Sequence, residues 1–490
     1  MSLIRTSTTC LLAGWLISRG GALDQNWLLS CIGIAIWIRL VFKLDTSKSI
    51  QHTFLIWFLV SAFALDWLRV LGWDALFALS TVVGASWSIA IYLWKRLLVT
   101  KNDWLNIISL SAIGVAYEFI FSNWPFGGFS WLRLGYLLSD LPFIGLTYWF
   151  GISIVTFLVI ATISCIVSEN FTPLRGLSAV VSILILLLSS QILKPQMQLD
   201  TRESLSVLAV QGGVPRVGLD FNSQRAAVFR NHLVQTQIAL ETSDSEFDLI
   251  LWPENASDID PFLNPDVSSA ITNLSDSSNT PILLGAVLDQ GDQVANAAVL
   301  ASGEKLETLY IKQKLVPFGE FLPFRNLMSS IISRFDRLSR DFIRGDESNP
   351  ILIKNHKIGV LICFEVAFDK IWHNYSDADY LVVLTNNATY AGTKQPLQQL
   401  RITQLQAISI GAPVMISSTS GISGYIDELG DVQNLISGNV GTFFYQEVPK
   451  LSNPAPSVVL QPFVHLFMFA ILLVALFVKL RTRLVGRNQI

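Results

Sequence analysis

The sequence predicts a multi-span α-helical membrane domain joined to an α/β domain that lies outside the membrane. Of the 490 residues, 51% are hydrophobic and only 14% are charged, which is far from the composition of a soluble protein. The charges are unevenly placed: residues 1–200 carry few, whereas residues 201–455 have an ordinary globular mixture. From Leu205 onward, short β-rich segments alternate with helical ones, as expected for an α/β domain.

The membrane domain, residues 1–200, is expected to contain about seven helices, with one more after the α/β domain. A helix needs about 20 apolar residues to cross a bilayer. Segments of that kind lie near 8–22, 26–42, 53–71, 74–94, 104–121, 142–167, 177–193 and 461–479. The first has the shortest apolar core, so a cleaved signal peptide is its alternative interpretation. We expect a retained helix, because no clear small-x-small cleavage site precedes the next span.

Loop charges predict the orientation of these spans. Lysine and arginine are concentrated in loops that would share a side with the N-terminus, and the last span is followed by Lys479, Arg481, Arg483 and Arg487. The opposite short loops carry only Arg19, Arg69, Arg133 and Lys194. By the positive-inside rule, both termini are expected in the cytoplasm and residues 203–453 outside it. We therefore expect a multi-pass protein of the cell (inner or plasma) membrane with an extracytoplasmic α/β domain.

One predicted outer loop, residues 122–133, is rich in aromatic residues and glycine, and Glu118 comes just before it. Two interpretations stay open for this loop. It could be an aromatic belt at headgroup depth, or a re-entrant or lid segment that contacts a lipid substrate. A carboxylate inside a span is costly unless it faces protein or water, so Glu118 is a candidate substrate-binding residue.

The composition also argues against several kinds of ligand. The net charge is −3 and no run of lysine or arginine is present, so we expect no nucleic-acid partner. The four cysteines form no Cys-x-x-Cys pair and the five histidines lack ligand spacing, so we expect no metal and no disulfide framework. No phosphate-binding glycine motif is present, and we expect no cofactor.

Periodicity predicts the elements of the α/β domain. Strands are expected at 204–211, 247–252, 281–287, 296–302, 306–312, 357–363, 379–385, 413–419, 422–427 and 441–446, and helices at 222–242 and 394–410. Several strands are apolar throughout, as in sheets covered on both faces. In the second helix Leu397, Leu400, Leu405 and Ile408 would share one face. Residues 452–456 resemble a linker to the last span.

Three strand ends carry the groups that covalent acyl chemistry requires, namely Glu254, Lys312 and Cys363. A thiol is mostly protonated at pH 7, so attack on an ester needs a base and a group that stabilises the oxyanion. Glu254 could be the base, Lys312 the stabilising cation and Cys363 the nucleophile. Each residue alone has an ordinary explanation: a helix cap, an exposed strand lysine and an inert core thiol. Their joint occurrence at strand ends favours an active site.

The order Glu–Lys–Cys and the surrounding strings resemble the nitrilase (carbon–nitrogen hydrolase) superfamily. The motifs are Leu251-Trp-Pro-Glu254, Leu315-Val-Pro-Phe-Gly-Glu320 and Ile362-Cys-Phe-Glu365. With seven spans before this domain and one after it, the chain more narrowly resembles the apolipoprotein N-acyltransferases, over essentially its whole length. The resemblance implies a nitrilase-like four-layer α-β-β-α sandwich on a membrane anchor.

The resemblance also implies an activity. An acyl chain would pass from a membrane phospholipid, through a thioester on Cys363, to the N-terminal amine of diacylglyceryl-cysteine lipoproteins, in a ping-pong reaction. The partners implied are thus a phospholipid donor, a diacylated apolipoprotein acceptor and the bilayer. The implied roles are general base for Glu254, oxyanion-stabilising cation for Lys312 and acyl-accepting nucleophile for Cys363.

Spacing within the resemblance separates two lysines. The family's lysine lies eight residues before the glutamate of Pro-Phe-Gly-Glu, which Lys312 satisfies and Lys314 does not. By motif, Glu320 and Glu365 match glutamates that orient the lysine and shape the site.

Three departures from the family pattern lie around the expected substrate entrance. Phe364 stands where a tyrosine is usual, and Gly213 replaces a frequent asparagine. Residues 385–390, Thr-Asn-Asn-Ala-Thr-Tyr, replace a more usual Asn-Asp-Ala-Trp-Phe, with Asn386 as a candidate substrate contact. These changes leave the reaction class intact and bear on acyl-chain or partner preference.

Two rival functions share part of this pattern. A membrane-tethered nitrilase-type amidase that hydrolyses a small amide would use the same three residues, but a tether needs only one span. A transporter with an inactive appendage would place paired charges at mid-membrane depth, and apart from Glu118 and Asp66 few are visible.

Overall fold

The computed structural model describes residues 3–20, 26–142, 144–168, 172–192, 199–217, 226–325, 340–347, 349–451 and 455–487. The chain divides into two compact units. The first, the membrane unit, comprises Met1–Pro195 and Pro456–Ile490. The second, the α/β unit, comprises Gln196–Ala455.

Helices make up the membrane unit. They are α1 (Leu3–Ile17), α2 (Trp27–Lys43), α3 (Thr46–Ala64), α4 (Trp73–Leu93), α5 (Asp103–Phe121), α6 (Leu134–Leu137), α7 (Thr147–Phe150), α8 (Ser153–Val167), α9 (Pro173–Ile192) and the C-terminal helix Ser457–Arg487. Among the described residues, three helical stretches are long and apolar enough to cross a membrane: Trp73–Leu98, Asp103–Phe121 and Ser457–Val485. Shorter apolar helices cover Ser7–Ile17, Ser153–Val167 and Pro173–Leu188.

Side-chain caps fix where several of these helices begin. At the start of α2, α3 and α5, a side-chain oxygen accepts an N–H of the first turn that has no partner inside the helix. The capping residues are Asn26, Asp45 and Asn102. Inside the unit, the rings of Trp37, Trp57 and Trp87 pack against one another with centroids 4.4–5.4 Å apart.

The segment expected as one continuous span at 142–167 is interrupted. A 3₁₀ turn (Ile144–Leu146) leads into the short helix α7, and only then does α8 begin at Ser153. Gly151 separates α7 from α8 with φ +73°, a left-handed conformation that glycine adopts at little cost. Apolar composition alone could not reveal this break.

The α/β unit is built on two six-stranded sheets. The first sheet has the order β12-β1-β2-β3-β4-β5 and the second β11-β10-β9-β8-β7-β6. The strands are β1 (Leu199–Gln211), β2 (Leu249–Ser257), β3 (Ile282–Gln290), β4 (Gln293–Ser302), β5 (Lys305–Ile311), β6 (Ile351–Ile353), β7 (His356–Ile362), β8 (Tyr380–Thr385), β9 (Val414–Ser418), β10 (Gly421–Ile426), β11 (Val432–Gly438) and β12 (Thr442–Leu451).

Each sheet has three neighbouring parallel strands: β1, β2 and β3 in the first sheet, and β7, β8 and β9 in the second. The remaining pairings are antiparallel. Strands β2, β8 and β9 bring the sheets into contact. Ser417 Oγ donates to the Val210 carbonyl (3.2 Å), and Ser423 Oγ donates to Gln211 Oε1 (2.7 Å).

Helices cover both sheets. The helices are α10 (Ala227–Thr242), α11 (Pro265–Ser278), α12 (Asp369–His373) and α13 (Gln395–Ile410). Helix α10 contacts β1 and β2, α11 contacts β4 and β5, and α13 contacts β10. The helix expected at 222–242 begins at Ala227, and residues 222–225 lie outside the described part of the chain.

The face of α13 differs from the apolar stripe expected at 394–410. Leu400 and Leu405 are buried as expected, but Leu397 and Ile408 are only half-buried. The buried face also carries the glutamines Gln395, Gln398, Gln399 and Gln406. Buried amides need hydrogen-bond partners, and several of these lie beside the candidate active site.

Candidate active site

Cys363 begins a 3₁₀ turn rather than ending a strand. Strand β7 ends at Ile362, and Cys363–Ala367 form the turn that follows. Cys363 has φ +52°, in the left-handed region that costs a residue with a side chain about 1–2 kcal/mol. Such strain persists only where the surroundings hold it. The side chain is half-buried. Cys363 therefore lies at a sharp turn that directly follows the parallel strand β7.

Glu254 lies inside β2, not after a strand as expected, and is 4% exposed. Its Oε1 accepts from Asn296 Nδ2 (2.7 Å) and Lys312 Nζ (3.1 Å). Its Oε2 accepts from the backbone N–H of Asn386 (2.8 Å). Thr419 Oγ1 donates to the Glu254 carbonyl (2.7 Å), which anchors this strand to the end of β9. The carboxylate is therefore held by donors from several elements.

Lys312 follows β5 directly and is 1% exposed. Its ammonium donates to Glu254 Oε1 (3.1 Å) and to Glu320 Oε1 (2.8 Å). Its backbone N–H donates to the Asn296 carbonyl (2.9 Å), so β4 fixes the position of its main chain. A buried ammonium between two carboxylates is the arrangement expected for a fixed cation in a reaction centre.

Glu320 belongs to a tight turn after Lys312. Its Oε2 accepts from the backbone N–H of Val316 (2.8 Å) while its Oε1 takes the ammonium. Phe318, in the same turn, has φ +63° and an exposed ring. The turn thus directs Glu320 inward and Phe318 to the surface. Glu320 thus lies beside Lys312, and its expected role in orienting the lysine stays a prediction.

Glu365 lies two residues after Cys363 and is fully buried. It accepts from the Tyr310 hydroxyl (2.8 Å) and from the backbone N–H groups of Gln313 (2.6 Å), Lys314 (3.0 Å) and Ile362 (2.7 Å). These hydrogen bonds reach residues on both sides of Lys312 and the residue before Cys363, rather than the Lys312 ammonium itself. Glu365 holds together the two segments that carry Lys312 and Cys363.

The charges of the cluster shift two pKa values. Burial alone would lower the pKa of Lys312, but the carboxylates of Glu254 and Glu320 raise it well above its usual value. Burial, together with the Glu254 carboxylate, raises the pKa of the Cys363 thiol to about 12, against the opposing effect of Lys312. Lys312 therefore carries its charge at neutral pH, and Cys363 rests as a thiol that needs a base.

Phe364 and Asn386 also lie in this region. Phe364 is 8% exposed, and its ring meets that of Phe368 edge-on at 5.0 Å between centroids. Asn386 contributes its backbone N–H to Glu254, and its side-chain Oδ1 accepts from Ala388 (3.1 Å). Its Nδ2 is buried without a hydrogen-bond partner among the described residues. Gly213 lies at φ +71°, which explains why glycine suits this position.

Glu118 lies in the membrane unit, on α5, and is 3% exposed. Its Oε1 accepts from the Leu134 N–H (2.7 Å), and its Oε2 accepts from Thr156 Oγ1 (2.8 Å). The Arg133 guanidinium lies 3.7 Å from Oε2. A buried carboxylate satisfied in this way connects α5 and α8 to the end of the aromatic loop. Its expected contact with substrate stays a prediction.

Several residues of the site have no signature in the sequence. Asn296 lies on β4 and donates to Glu254, and Tyr310 lies on the neighbouring strand β5 and donates to Glu365. Thr385 and Gln399 surround Cys363 from the other side. Periodicity treated these positions as ordinary strand and helix residues, because a contact between distant segments leaves no local pattern.

Family comparisons agree with this fold and geometry. Residues 209–442 match the carbon–nitrogen hydrolase family, so the α/β unit contains an enzyme domain of that class. Residues 13–165 match the apolipoprotein N-acyltransferase N-terminal domain. With both matches in this order, the chain is similar to the apolipoprotein N-acyltransferases in parts of both of its units.

Individual relatives cover part of the chain. An apolipoprotein N-acyltransferase of Mycolicibacterium smegmatis is 35% identical over 243 residues, 46% of this chain and 39% of the relative. That of Photobacterium profundum is 29% identical over 320 residues, 61% of this chain and 59% of the relative. The chain thus matches about two fifths to three fifths of the length of these relatives. A solved carbon–nitrogen hydrolase superfamily protein, XC1258 from Xanthomonas campestris, aligns over 55% of this chain and 97% of its own at 16% identity, with a TM-score of 0.38.

Proposed function

We propose that this protein is a membrane N-acyltransferase that moves an acyl chain from a phospholipid to the N-terminal amine of diacylglyceryl-cysteine lipoproteins. The family matches and the names of the relatives support the reaction class. The observation that carries the proposal is the buried Lys312 ammonium, hydrogen-bonded to Glu254 and Glu320, together with the Glu365 carboxylate that joins the segments of Lys312 and Cys363. No cofactor is required, because the phospholipid ester already carries an activated acyl group.

In the first half-reaction, the Cys363 sulfur attacks the ester carbonyl as Glu254 accepts the thiol proton. Lys312 stabilises the negative charge that develops on the carbonyl oxygen. The bond to the glycerol oxygen then breaks, Glu254 returns the proton to that oxygen, and lysophospholipid leaves. The acyl group remains as a thioester on Cys363. The raised thiol pKa makes the base necessary, because little thiolate is present at rest.

In the second half-reaction, the lipoprotein amine attacks the thioester carbonyl. Glu254 accepts a proton from the amine, and Lys312 again stabilises the oxyanion. The carbon–sulfur bond breaks, the sulfur takes a proton back, and the new amide leaves. Donor and acceptor use the same centre in turn, which is a ping-pong cycle.

The same proposal includes the arrangement in the cell. We infer eight spans, with residues 1–200 and 461–479 in the membrane, residues 203–453 as an α-β-β-α catalytic domain outside the cytoplasm, and both termini inside. The apolar helices and the loop charges support it. On that side of the membrane no ATP or acyl-CoA is needed, because the bilayer supplies the donor.

Mass spectrometry can test the proposed reaction. The purified chain in detergent is incubated with a phospholipid that carries an isotope-labelled acyl chain. The intact protein should gain one acyl mass, and peptide mapping should place it on Cys363. Adding a diacylglyceryl-cysteine peptide should then remove the adduct and transfer one labelled acyl group to the peptide amine.

Matched cysteine variants make the test specific. Cys363→Ser should form no thioester, whereas Cys31→Ser, which alters a half-buried cysteine of the membrane unit, should behave like the wild type. An amidase would give no fatty-acyl adduct and would release ammonia from small amides. That outcome would refute the transferase proposal.

A further inference from the structure

Gln399 is buried beside Cys363 and bonded at both ends of its carboxamide. It is 4% exposed and lies on α13. Its Nε2 donates to the Cys363 carbonyl (3.2 Å) and to Thr385 Oγ1 (2.9 Å). Its Oε1 accepts from Asn387 Nδ2 (2.7 Å). The donor on one side and the acceptor on the other fix which end of the amide faces the cysteine.

The bond to the Cys363 carbonyl acts on a strained residue. Cys363 has a left-handed backbone, and its carbonyl belongs to the first residue of the 3₁₀ turn that contains Glu365. Gln399 Nε2 reaches this carbonyl from a different element, the helix α13. A contact from outside the turn can hold a conformation that the turn itself does not favour.

Gln399 also affects where the hydroxyl hydrogen of Thr385 points. A threonine hydroxyl has a single hydrogen. Thr385 Oγ1 lies 3.2 Å from Gln399 Oε1 and accepts from Gln399 Nε2. Hydrogen bonding from Thr385 also lowers the pKa of the Cys363 thiol. While the hydroxyl accepts from Nε2, its own hydrogen is free to turn from Oε1 to the sulfur. A thiolate is the better acceptor of the two, because hydrogen bonds to charged groups are stronger.

We propose that Gln399 is a positioning residue for the nucleophile: its carboxamide holds the Cys363 carbonyl and leaves the Thr385 hydroxyl hydrogen available to the sulfur as negative charge develops there. The inference rests on the proposed role of Cys363 as the acyl-accepting nucleophile. It extends the site from the Glu254–Lys312 side to the opposite side of the sulfur.

The test measures the reactivity of Cys363 without any acyl donor. Iodoacetamide alkylation of the full chain is followed between pH 7 and pH 10.5, and peptide mapping reads out Cys363 alone. Gln399→Leu removes the donor to Thr385 and to the carbonyl. We expect about tenfold slower alkylation at a given pH below the thiol pKa, the effect of a pKa raised by about one unit. Gln399→Glu, nearly isosteric but without a donor, should slow the reaction more because it adds a negative charge.

Gln406 on the same helix is the matched control. It is 2% exposed, and its Nε2 donates to Asp369 Oδ1 (2.9 Å), away from Cys363. Gln406→Leu and Gln406→Glu should lower the thermal unfolding midpoint to a similar extent but leave the alkylation profile of Cys363 unchanged. If the Gln399 and Gln406 variants give the same profile, Gln399 has only a structural role and the proposal fails.

A second variant keeps the test decisive if Gln399→Leu does not fold. Thr385→Val removes the hydroxyl at constant shape and should slow alkylation in the same direction. The double variant Gln399→Leu/Thr385→Val should be no slower than the slower single variant, because both act through one hydrogen bond. If the decreases in alkylation rate of the two single variants added fully in the double variant, the two residues would not act through one hydrogen bond. If the wild-type protein showed no acyl transfer but the Gln399 variants still slowed alkylation of Cys363, the proposed function would be refuted and this inference would stand.

Discussion

Replacing Lys312 with methionine would leave the carboxylates of Glu254 and Glu320 without the ammonium that lies between them. The ammonium is 1% exposed and donates to both, at 3.1 Å and 2.8 Å. Removing one partner of a buried ion pair costs about 3–5 kcal/mol, because the remaining charge is desolvated and uncompensated. Methionine retains most of the buried stem, so the loss would come from charge rather than from a cavity.

The pH dependence of this loss follows from the sign of the lysine shift. The pKa of Lys312 is raised in the folded state, so its stabilisation is complete below its unfolded pKa and is lost only as pH rises through the higher folded value. Between pH 7 and pH 9 the difference between wild type and variant should therefore be constant.

Thermal unfolding of the full chain in detergent would measure the effect. For a domain of this size about 1 kcal/mol corresponds to about 2–4 °C, so the midpoint of the α/β unit should fall by roughly 6–20 °C. Lys357→Met is the matched control, because Lys357 is 52% exposed and pairs with Asp377 at 2.7 Å. Such surface pairs contribute about 0–1 kcal/mol. An equal fall for both variants would refute the view that Lys312 is the central charge of the site.

Three further predictions address other parts of the molecule. Glu254→Gln should abolish acyl transfer yet speed iodoacetamide alkylation of Cys363, because the Glu254 carboxylate raises the pKa of that thiol; slower alkylation would contradict this. Glu365→Gln should destabilise the α/β unit by about 2–3 kcal/mol, measured by thermal unfolding, since a carboxamide NH₂ would face one of the backbone donors that the carboxylate now accepts. Glu118→Ala should lower the unfolding midpoint of the membrane unit by several degrees, because it leaves Arg133 buried without its carboxylate; an unchanged midpoint would show that the pair is dispensable.

Much of the α/β unit could be predicted from the sequence, because alternating apolar segments with clear turns define strands well. The segment expected at 379–385 is β8 (Tyr380–Thr385), and that expected at 394–410 is α13. Strand β11 (Val432–Gly438) was missed, since it is polar and largely exposed. Helix α11 (Pro265–Ser278) was missed because it is rich in serine and has few apolar residues.

Some residues of the candidate site could likewise be predicted from the sequence, and others could not. Local motifs led to Glu254, Lys312, Glu320 and Cys363, each beside a recognisable turn or strand end. The left-handed backbone of Cys363 could not be predicted, because cysteine has no preference for that region. Gln399 was likewise hidden, since a glutamine on a helix ordinarily suggests a solvent-facing position.

The arrangement around Lys312 has a consequence for what the pocket retains. Two carboxylates and one ammonium leave a local excess of negative charge. A neutral ester or thioester enters such a pocket without adding charge, whereas a fatty-acid anion released by accidental hydrolysis would bring in another carboxylate. The same three side chains that we propose to promote acyl transfer would thus help to expel its main by-product, and free fatty acids would be weak inhibitors.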